Sequence, residues 1–254
     1  MVRRNNVITI ISCTHIIKMF ASKLSMWDLF VPVLYNGYKG SKENIPFYYS
    51  RIMGHSCVND LSKPMDEIMA GMKSNTRNEI RRAEKEGVIF SSSVAKDDFI
   101  KMYNEFCASK GLDDFTSIAR MSKYKDLLLT QAIHDGRPLA MHASVLDPNG
   151  KLAFLLYSCS QRLLDGVDRK MIGWANRYLH YKELELLKKC GYEIYDWSGV
   201  CLDKTNPKYS IGQFKTSFGG DVIESVVLRS PMFVFFESLR SGIKRLLSIF
   251  RKGR

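Results

Sequence analysis

Apolar side chains recur three and four residues apart in five stretches of the chain, a spacing typical of amphipathic α-helices. In the first stretch Ser62 and Pro64 stand before the apolar positions and Gly87 follows them, which marks the start and the end of a helix. The pattern predicts helices over residues 62–87, 97–110, 122–135, 173–190 and 231–254.

Short runs rich in β-branched and aromatic residues separate these stretches. They predict strands over residues 7–11, 47–52, 88–93, 139–146, 151–160, 192–197 and 222–228. The tetrapeptide Asp147-Pro148-Asn149-Gly150 joins two of them and is a strong turn signal, so we expect a β-hairpin there. Strands and helices in this order predict an α/β protein with a mixed sheet flanked by helices.

A glycine-rich segment, FKTSFGG at residues 214–220, is predicted to be a loop that leads into the last strand. Because α/β enzymes bind ligands at strand ends, we expect a functional site here. Lys215 is the first catalytic candidate: the ring of Phe214 would hold its ammonium group, and the bare backbone at Gly219 lets a substrate approach closely. Both Phe214 and Gly219 are therefore predicted to contact the substrate. The alternative is a surface lysine on a hairpin.

Asp196, at the end of the preceding strand, is the second catalytic candidate, because a carboxylate there can orient an amine or accept its proton. The alternative is an aspartate that caps the following turn. Tyr157 and Asn176 are further candidates for substrate contacts. His142 and His180 have no partner in the sequence pattern and are interpreted as single structural histidines. No metal site is expected, since no Cys/His cluster has the spacing of zinc ligands.

Four segments resemble, in order and spacing, the FemAB-like branch of the GNAT acyltransferases, which includes peptidoglycan-bridge aminoacyltransferases and acetyltransferase-like relatives. These segments are IRRAEKEGV at residues 80–88, ANRYL at 175–179, YDWSG at 195–199 and FKTSFGG at 214–220. The resemblance implies a GNAT-like mixed β-sheet over residues 61–230. It also implies a reduced N-terminal half-domain at residues 1–60, and residues 231–254 form a separate C-terminal helix.

The resemblance implies an activity as well, the transfer of an acetyl or aminoacyl group to an amine. The acceptor would be a cell-envelope glycan or its lipid- or nucleotide-linked precursor, and Lys215 would stabilise negative charge in the donor or the transition state. Spacing suggests no Ser-His-Asp or Cys-His set, so we expect direct attack by the amine without a covalent acyl-enzyme. The expected donor is an acyl-coenzyme A or an aminoacyl-tRNA, with no tightly bound cofactor.

Basic residues offer two places for phosphates. Arg77 and Arg81 belong to a stripe that recurs every four residues along the first predicted helix, and a planar guanidinium grips two oxygens at once. The alternative is a solvated helix face. Residues 161–170 lack the GxG pattern of the coenzyme A loop in GNAT enzymes, yet Arg162, Arg169 and Lys170 stand where a donor phosphate would meet the next helix.

Charge and cysteine content bear on partners and location. The chain has 38 Lys and Arg against 26 Asp and Glu, a net charge of +12, which favours anionic partners: nucleic acid, phosphorylated metabolites or an anionic membrane surface. The resemblance narrows these partners to an anionic glycan precursor and tRNA. A rival function is a non-catalytic basic module that binds RNA or an anionic membrane. Six scattered cysteines without a CxxC pair are typical of reduced thiols, so we expect a cytoplasmic protein.

The last predicted helix is basic and amphipathic, with Phe236 and Leu239 on its apolar face and Arg240 and Lys244 on the other. Such a helix binds anionic membrane surfaces, which would bring the protein to the inner face of the membrane. The alternative is a helix packed on the domain. No stretch has the continuous apolar length needed to span a bilayer.

Overall fold

The computed structural model describes residues 8–12, 14–163 and 168–252, and within them it has ten strands and seven α-helices. The strands are β1 (Ile8–Ile11), β2 (Ile16–Met19), β3 (Val33–Asn36), β4 (Ser50–Asp60), β5 (Ile89–Ser91), β6 (Leu127–His134), β7 (Arg137–Asp147), β8 (Leu152–Ser160), β9 (Ile194–Val200) and β10 (Asp221–Arg229). The helices are α1 (Met65–Gly71), α2 (Ser74–Lys85), α3 (Lys96–Ser109), α4 (Ile118–Met121), α5 (Arg169–Lys189), α6 (Tyr209–Thr216) and α7 (Pro231–Lys252).

The chain forms two compact units. The terminal unit consists of Met1–Gly54 together with Glu224–Arg254, and the central unit consists of His55–Ile223. The domain boundaries predicted near residues 60 and 230 stay a prediction. Among the described residues no helix has both the length and the apolar character that crossing a membrane requires.

The terminal unit contains four strands in the order β1-β2-β3-β10. β1 and β2 are antiparallel, β2 and β3 are parallel, and β3 and β10 are antiparallel. In the core of the terminal unit, buried Val33 and Tyr35 of β3 pack with Leu228 of β10. Asp28 is also buried, and its carboxylate is paired with the ammonium of Lys18 at 2.6 Å, which compensates for the loss of hydration.

The central unit holds the strand order β4-β9-β8-β7-β6-β5. β8 and β9 are parallel, and the other neighbours are antiparallel. Helix α5 covers one face, where its Leu179 and Leu184 pack with Ala140 of β7. Helix α3 covers the other face, where its Phe99 packs with Met141. This arrangement confirms the predicted α/β class with a mixed sheet flanked by helices.

The helix predicted over residues 122–135 is wrong, because most of this stretch is strand β6. Its run of apolar residues lies between β5 and β7, and a short apolar run fits a buried strand as well as a helix. Asp135 and Gly136 both have positive φ and join β6 to β7 as a two-residue hairpin turn. The Asp-Gly pair is the signal in the sequence that identifies this hairpin.

The single helix predicted over residues 62–87 is divided into α1 and α2, because Met72 and Lys73 between them are extended. The backbone N–H of Lys73 donates a hydrogen bond to the carbonyl of Ser217 at 2.9 Å. The backbone of Gly71 lies so close to Gly219 that a Cβ on Gly219 would stand 2.6 Å from it. This tertiary contact holds the chain in an extended conformation where local propensity favours a helix.

The loop predicted at residues 214–220 is also wrong in part, since α6 continues through Thr216 and therefore includes Lys215. Strand β4 begins at Ser50 rather than at residue 47. Other predictions are confirmed: helices α3, α5 and α7, strand β5, and the β7–β8 hairpin, in which Asp147 accepts a hydrogen bond from the N–H of Gly150 at 3.0 Å. Residue 7, at the start of the first predicted strand, lies outside the described residues.

Candidate active site

The parallel strands β8 and β9 are paired with each other only at their first three residues. Their register joins residues 152–154 to residues 194–196, whereas β8 continues to Ser160 and β9 to Val200. Ligands of α/β proteins bind outside the carboxyl ends of parallel strands, where neighbouring strands diverge. The ends of β8 and β9 pair with β7 and β4 but not with each other. We call the place between these two ends the strand opening, and it is the first place to look for a site.

Lys215 and Asp196 lie beside the strand opening. Helix α6 presents Lys215, whose ammonium nitrogen donates a hydrogen bond to the carbonyl oxygen of Gly199 at 2.9 Å. The buried carboxylate of Asp196 accepts hydrogen bonds from the Ser56 hydroxyl and, at 2.8 Å, from the N–H of Ser198. The charge of Asp196 attracts the Lys215 ammonium. The structure thus brings the two predicted catalytic residues together, and their roles stay a prediction.

Burial changes the acid–base chemistry of this pair. Burial lowers the pKa of Lys215, and attraction to Asp196 and Cys57 opposes that shift. The Sγ of Cys57 lies 3.8 Å from the carbonyl oxygen of Lys215. Burial and, next, Asp196 raise the pKa of this thiol to about 11, so Cys57 stays protonated at neutral pH. Cys57 is therefore a poor nucleophile.

A fully buried network next to this pair was not predicted from the sequence. The interpretation of His142 and His180 as single histidines is wrong, because their rings stack with centroids 3.9 Å apart. Oε2 of Glu183 lies 3.0 Å from Nδ1 of His142 and 3.4 Å from Nδ1 of His180. The Thr130 hydroxyl donates to Oε1, and the Tyr195 hydroxyl donates to Oε2 at 3.2 Å. We call His142, His180 and Glu183 the His-His-Glu cluster.

The cluster keeps the Glu183 carboxylate ionised in the interior. Burial would raise the pKa of Glu183, but attraction to His142 and the contacts of the carboxylate with both imidazoles hold that pKa well below its usual range. Burial and the charge of His142 lower the pKa of His180 to about 3, so His180 is neutral. Burial and the neighbouring Glu183 raise the pKa of Tyr195 far above its usual value, so its hydroxyl remains a hydrogen-bond donor.

Aromatic rings separate the cluster from α6. Those of Trp197, Phe214 and Phe218 surround His180 with centroid distances of 4.6, 5.6 and 5.4 Å. Asn59 fixes two of them, because its Oδ1 accepts a hydrogen bond from the indole N–H of Trp197 at 2.6 Å and its Nδ2 donates to the carbonyl of Phe218 at 3.1 Å. Phe214 is a predicted substrate contact. Its ring also packs against His180 of α5, so it helps to hold α6 against α5.

Arg177 on α5 is a second cation near this place that sequence reasoning missed, although it lies within the matched segment ANRYL. Its guanidinium is 2.9 Å from the carboxylate of Glu79 and 5.0 Å from the ring centroid of Phe214. Its buried Nε has no hydrogen-bond partner among the described residues. Burial lowers the pKa of Arg177, Glu79 opposes the shift, and repulsion from Arg162 adds to it. Arg162, just after β8, is therefore close enough to Arg177 on α5 for the two cations to repel each other.

Asn176 and Tyr157, both predicted to contact the substrate, lie on different sides of the central sheet. Asn176 is on the α5 side, where its Oδ1 is 2.9 Å from Nε2 of His142. Tyr157 packs in the core on the α3 side, with ring centroids 4.6 Å from Tyr103 and 6.4 Å from Phe99. The structure does not bring Tyr157 to Asn176, and the substrate role of Tyr157 stays a prediction.

Two other predicted substrate contacts have evident structural roles. The guanidinium of Arg77 donates to the backbone carbonyls of Ala70 and Met72, the first at 3.0 Å, and so caps the end of α1. Gly219 has φ of 77° and lies against the backbone of Gly71, so both its conformation and its packing require glycine. Arg81 is exposed on α2, available to solvent and to a ligand alike.

The predicted donor-phosphate residues flank the start of α5. Arg162 is in the 3-10 helix Gln161–Leu163 at the end of β8, and Arg169 and Lys170 are exposed in the first turn of α5. The Asp168 carboxylate accepts hydrogen bonds from the N–H groups of Lys170 and Met171 at 2.8 and 3.2 Å. These are donors that a phosphate would otherwise use, so the side chains remain the anion ligands here. Residues 164–167 of the predicted loop lie outside the described residues.

The same fold occurs in solved structures of other proteins, although no family model and no curated protein matches the chain. FemX superposes with a TM-score of 0.63 at 12% identity, covering 88% of this chain and 83% of that chain. The C-terminal domain of a putative lysylphosphatidylglycerol synthetase from Agrobacterium fabrum superposes with a TM-score of 0.56 at 12% identity, covering 88% and 80%.

The L-PGS structure from Bacillus licheniformis superposes with a TM-score of 0.57 at 10% identity, covering 94% of this chain and 86% of that chain. Identities this low establish a common fold and nothing about residue roles. The structural similarity to FemX confirms, at the level of the fold, the FemAB-like resemblance predicted from four short segments.

Proposed function

We propose that this protein is an acyltransferase that moves an acyl or aminoacyl group to an amine. The observation that carries the proposal is the pair of Lys215 and Asp196 beside the strand opening. The pair combines a cation and a buried carboxylate at the point where α/β proteins bind ligands. The fold shared with FemX and with lysylphosphatidylglycerol synthetase domains supports the assignment by analogy.

In the proposed reaction the neutral amine of the acceptor attacks the carbonyl carbon of a thioester or an ester. A C–N bond forms, the C–S bond to coenzyme A or the C–O bond to the tRNA ribose breaks, and the electron pair leaves with sulfur or oxygen. The attacking nitrogen loses one proton and the leaving group gains one. Asp196 accepts the proton from nitrogen, and the Lys215 ammonium stabilises the oxyanion that forms on the carbonyl oxygen.

The acceptor proposed is an amino group on a cell-envelope glycan or its lipid- or nucleotide-linked precursor. The net charge of +12 and the neighbouring cations Arg162, just after β8, and Arg177, on α5, support an anionic partner. The name lysylphosphatidylglycerol synthetase describes an aminoacyl group on an anionic lipid, which supports an aminoacyl donor and an envelope acceptor. Both donor classes, acyl-coenzyme A and aminoacyl-tRNA, fit the chemistry of the pair.

The test is transfer of a radiolabelled acyl group by the purified full-length chain. Acetyl-coenzyme A and lysyl-tRNA are offered separately with a UDP-linked amino sugar and with lipid-linked peptidoglycan precursor as acceptors. We expect labelled amide with one donor, lost in Asp196→Asn and retained in the control Asp203→Asn, an exposed aspartate in the loop after β9. No product above background with any pairing, or equal product from both variants, would overturn the proposal.

We also propose that α7 binds the surface of an anionic membrane. Phe235, Phe236 and Leu239 on this helix are 59%, 46% and 51% exposed. The sequence of α7 is also rich in basic residues, and this combination suits an anionic surface. The double variant Phe235→Ser/Phe236→Ser should no longer sediment with phosphatidylglycerol vesicles. Phe47→Ser, at an aromatic residue that is 94% exposed elsewhere in the chain, is the matched control. Equal sedimentation of both variants would contradict this role of α7.

A further inference from the structure

The His-His-Glu cluster takes no part in the proposed reaction, and its composition points to a separate role. His180 and Glu183 are three residues apart on α5 and therefore share one helix face, while His142 reaches them from β7. None of the three side chains is more than 1% exposed. One potential ligand atom from each residue lies within 4.8 Å of the others. Two imidazoles and one carboxylate are a ligand set that zinc and similar divalent ions use in proteins.

The two distances from the Glu183 carboxylate to the histidine nitrogens are close to those between ligand atoms around a small cation. Around a tetrahedral ion with bonds of about 2.0–2.2 Å, neighbouring ligand atoms stand about 3.3 Å apart. Here Oε2 of Glu183 is 3.0 Å from one histidine Nδ1 and 3.4 Å from the other. The Nδ1 of His180 is also buried and makes no well-directed hydrogen bond among the described residues. Buried nitrogen atoms of this kind are uncommon in native proteins, and a bound cation is one way to satisfy this one.

The groups around the cluster have the arrangement of an outer shell. A histidine that binds a cation through Nδ1 carries its proton on Nε2, and Nε2 of His142 faces the side-chain oxygen of Asn176 at 2.9 Å. The hydroxyls of Thr130 and Tyr195 both donate to Glu183 and so fix its carboxylate. Partners of this kind orient ligands and raise metal affinity.

We propose that His142, His180 and Glu183 bind one divalent transition-metal ion of the zinc type. The two imidazole rings stack with an interplanar angle of 26°, so binding turns the His180 ring until both Nδ1 atoms face the ion. The site is closed to solvent and joins helix α5 to strand β7, so the ion stabilises the fold rather than meeting substrate. A cation bound only by the folded chain adds to its stability by mass action.

The experiment is a titration of the chelator-treated full-length protein with Co²⁺ and with Zn²⁺, followed by absorption spectroscopy and calorimetry. We expect one ion per chain, visible Co²⁺ ligand-field bands that Zn²⁺ displaces, and a higher melting temperature. His180→Phe keeps an aromatic ring against Trp197 and removes the ligand nitrogen, so it should lose the bands and the thermal shift. His134→Phe, at a half-buried histidine outside the cluster, should retain both.

A graded response is expected from the outer shell. Asn176→Ala should weaken Zn²⁺ binding by roughly 10–100-fold, the range measured for such partners, while leaving the stoichiometry at one. X-ray absorption of the wild-type Zn²⁺ complex should show two imidazole ligands, and this measurement does not depend on any variant folding. Fewer than two imidazoles, or Co²⁺ bands of equal intensity in His180→Phe and wild type, would overturn the site. None of these measurements uses an acyl donor, so their failure is distinguishable from failure of the transferase.

Discussion

Replacing Lys215 by methionine tests the candidate site most directly. Methionine keeps an unbranched apolar stem but has no ammonium group, so it removes the cation with little change in packing. Loss of one preorganised donor to a developing oxyanion costs about 10²–10³-fold in kcat, or roughly 2.7–4 kcal/mol. We therefore expect Lys215→Met to lower kcat by that factor while KM for the donor changes little.

The effect on stability should be small, and this separates catalysis from structure. The variant loses the hydrogen bond from Lys215 to Gly199. Such a bond makes a net contribution of about 1 kcal/mol. The variant also removes a cation that burial disfavours, which acts in the opposite direction. Unfolding free energies of the two proteins should therefore agree within about 1 kcal/mol.

The assay is steady-state transfer of labelled acyl groups, together with urea denaturation. Lys208→Met is the matched control, since Lys208 is exposed at the start of the same helix, and its activity should equal that of wild type. Unchanged kcat in Lys215→Met would refute the catalytic role. A loss of stability large enough to explain the loss of activity would also refute the catalytic role, because it would show that Lys215 supports the fold.

The same variant has a pH signature whose sign follows from burial. Burial lowers the pKa of Lys215 in the folded state. The unfolded chain therefore binds more protons between that lowered pKa and the ordinary lysine value of about 10.4. Stability of wild type gains from Lys215 as pH rises through this window. Any stability advantage of Lys215→Met should be largest near neutral pH and shrink towards about pH 10. An advantage that grows with pH would contradict the burial of the ammonium.

Three further predictions concern the central unit. Glu183→Gln leaves two buried histidines without their carboxylate. It should lower the unfolding free energy by about 3–5 kcal/mol in urea denaturation, and a loss below about 1 kcal/mol would contradict the buried pair. Gly219→Ala should destabilise the folded protein far more than Gly111→Ala. Both glycines have positive φ, but only at Gly219 would an added Cβ lie 2.6 Å from backbone atoms. Equal melting temperatures of the two variants would refute this packing. Under native alkylation at pH 8, mass spectrometry should find the exposed Cys190 modified well before Cys57. The reason is that burial raises the pKa of the Cys57 thiol to about 11. Labelling of both at the same rate would show that the fold opens at Cys57.

Elements with strong local signals were predicted well. The hairpin of β7 and β8 follows from Asp147-Pro148-Asn149-Gly150, and helices α3, α5 and α7 follow from long apolar periodicity. Strand β6 was predicted as a helix because its eight residues are too few for periodicity to decide, and only the Asp135-Gly136 turn identifies it. The division between α1 and α2 was missed because it results from contact with Gly219, which is remote in sequence.

The candidate site also contains some residues that local sequence signals indicate and others that they do not. Lys215 and Asp196 could be singled out as candidates because both stand at recognisable strand and glycine signals, and they are close enough in the fold to interact. Arg177 and the His-His-Glu cluster carry no such local signal, except that His180 and Glu183 are spaced to share a helix face. Tyr157 has no local signal that shows which face of the sheet it occupies, and the structure places it in the core on the α3 side.

By itself, the sequence determined the α/β class, most elements and the residue types that suit acyl transfer, since periodicity, turn residues and glycine are local properties of the chain. Only the tertiary structure decided which of these residues meet. His142 and His180 are brought into contact by packing of α5 on β7, and burial of the cluster lowers the pKa of His180 to about 3. Proximity and desolvation depend on every element around a group, so no short stretch of sequence contains them.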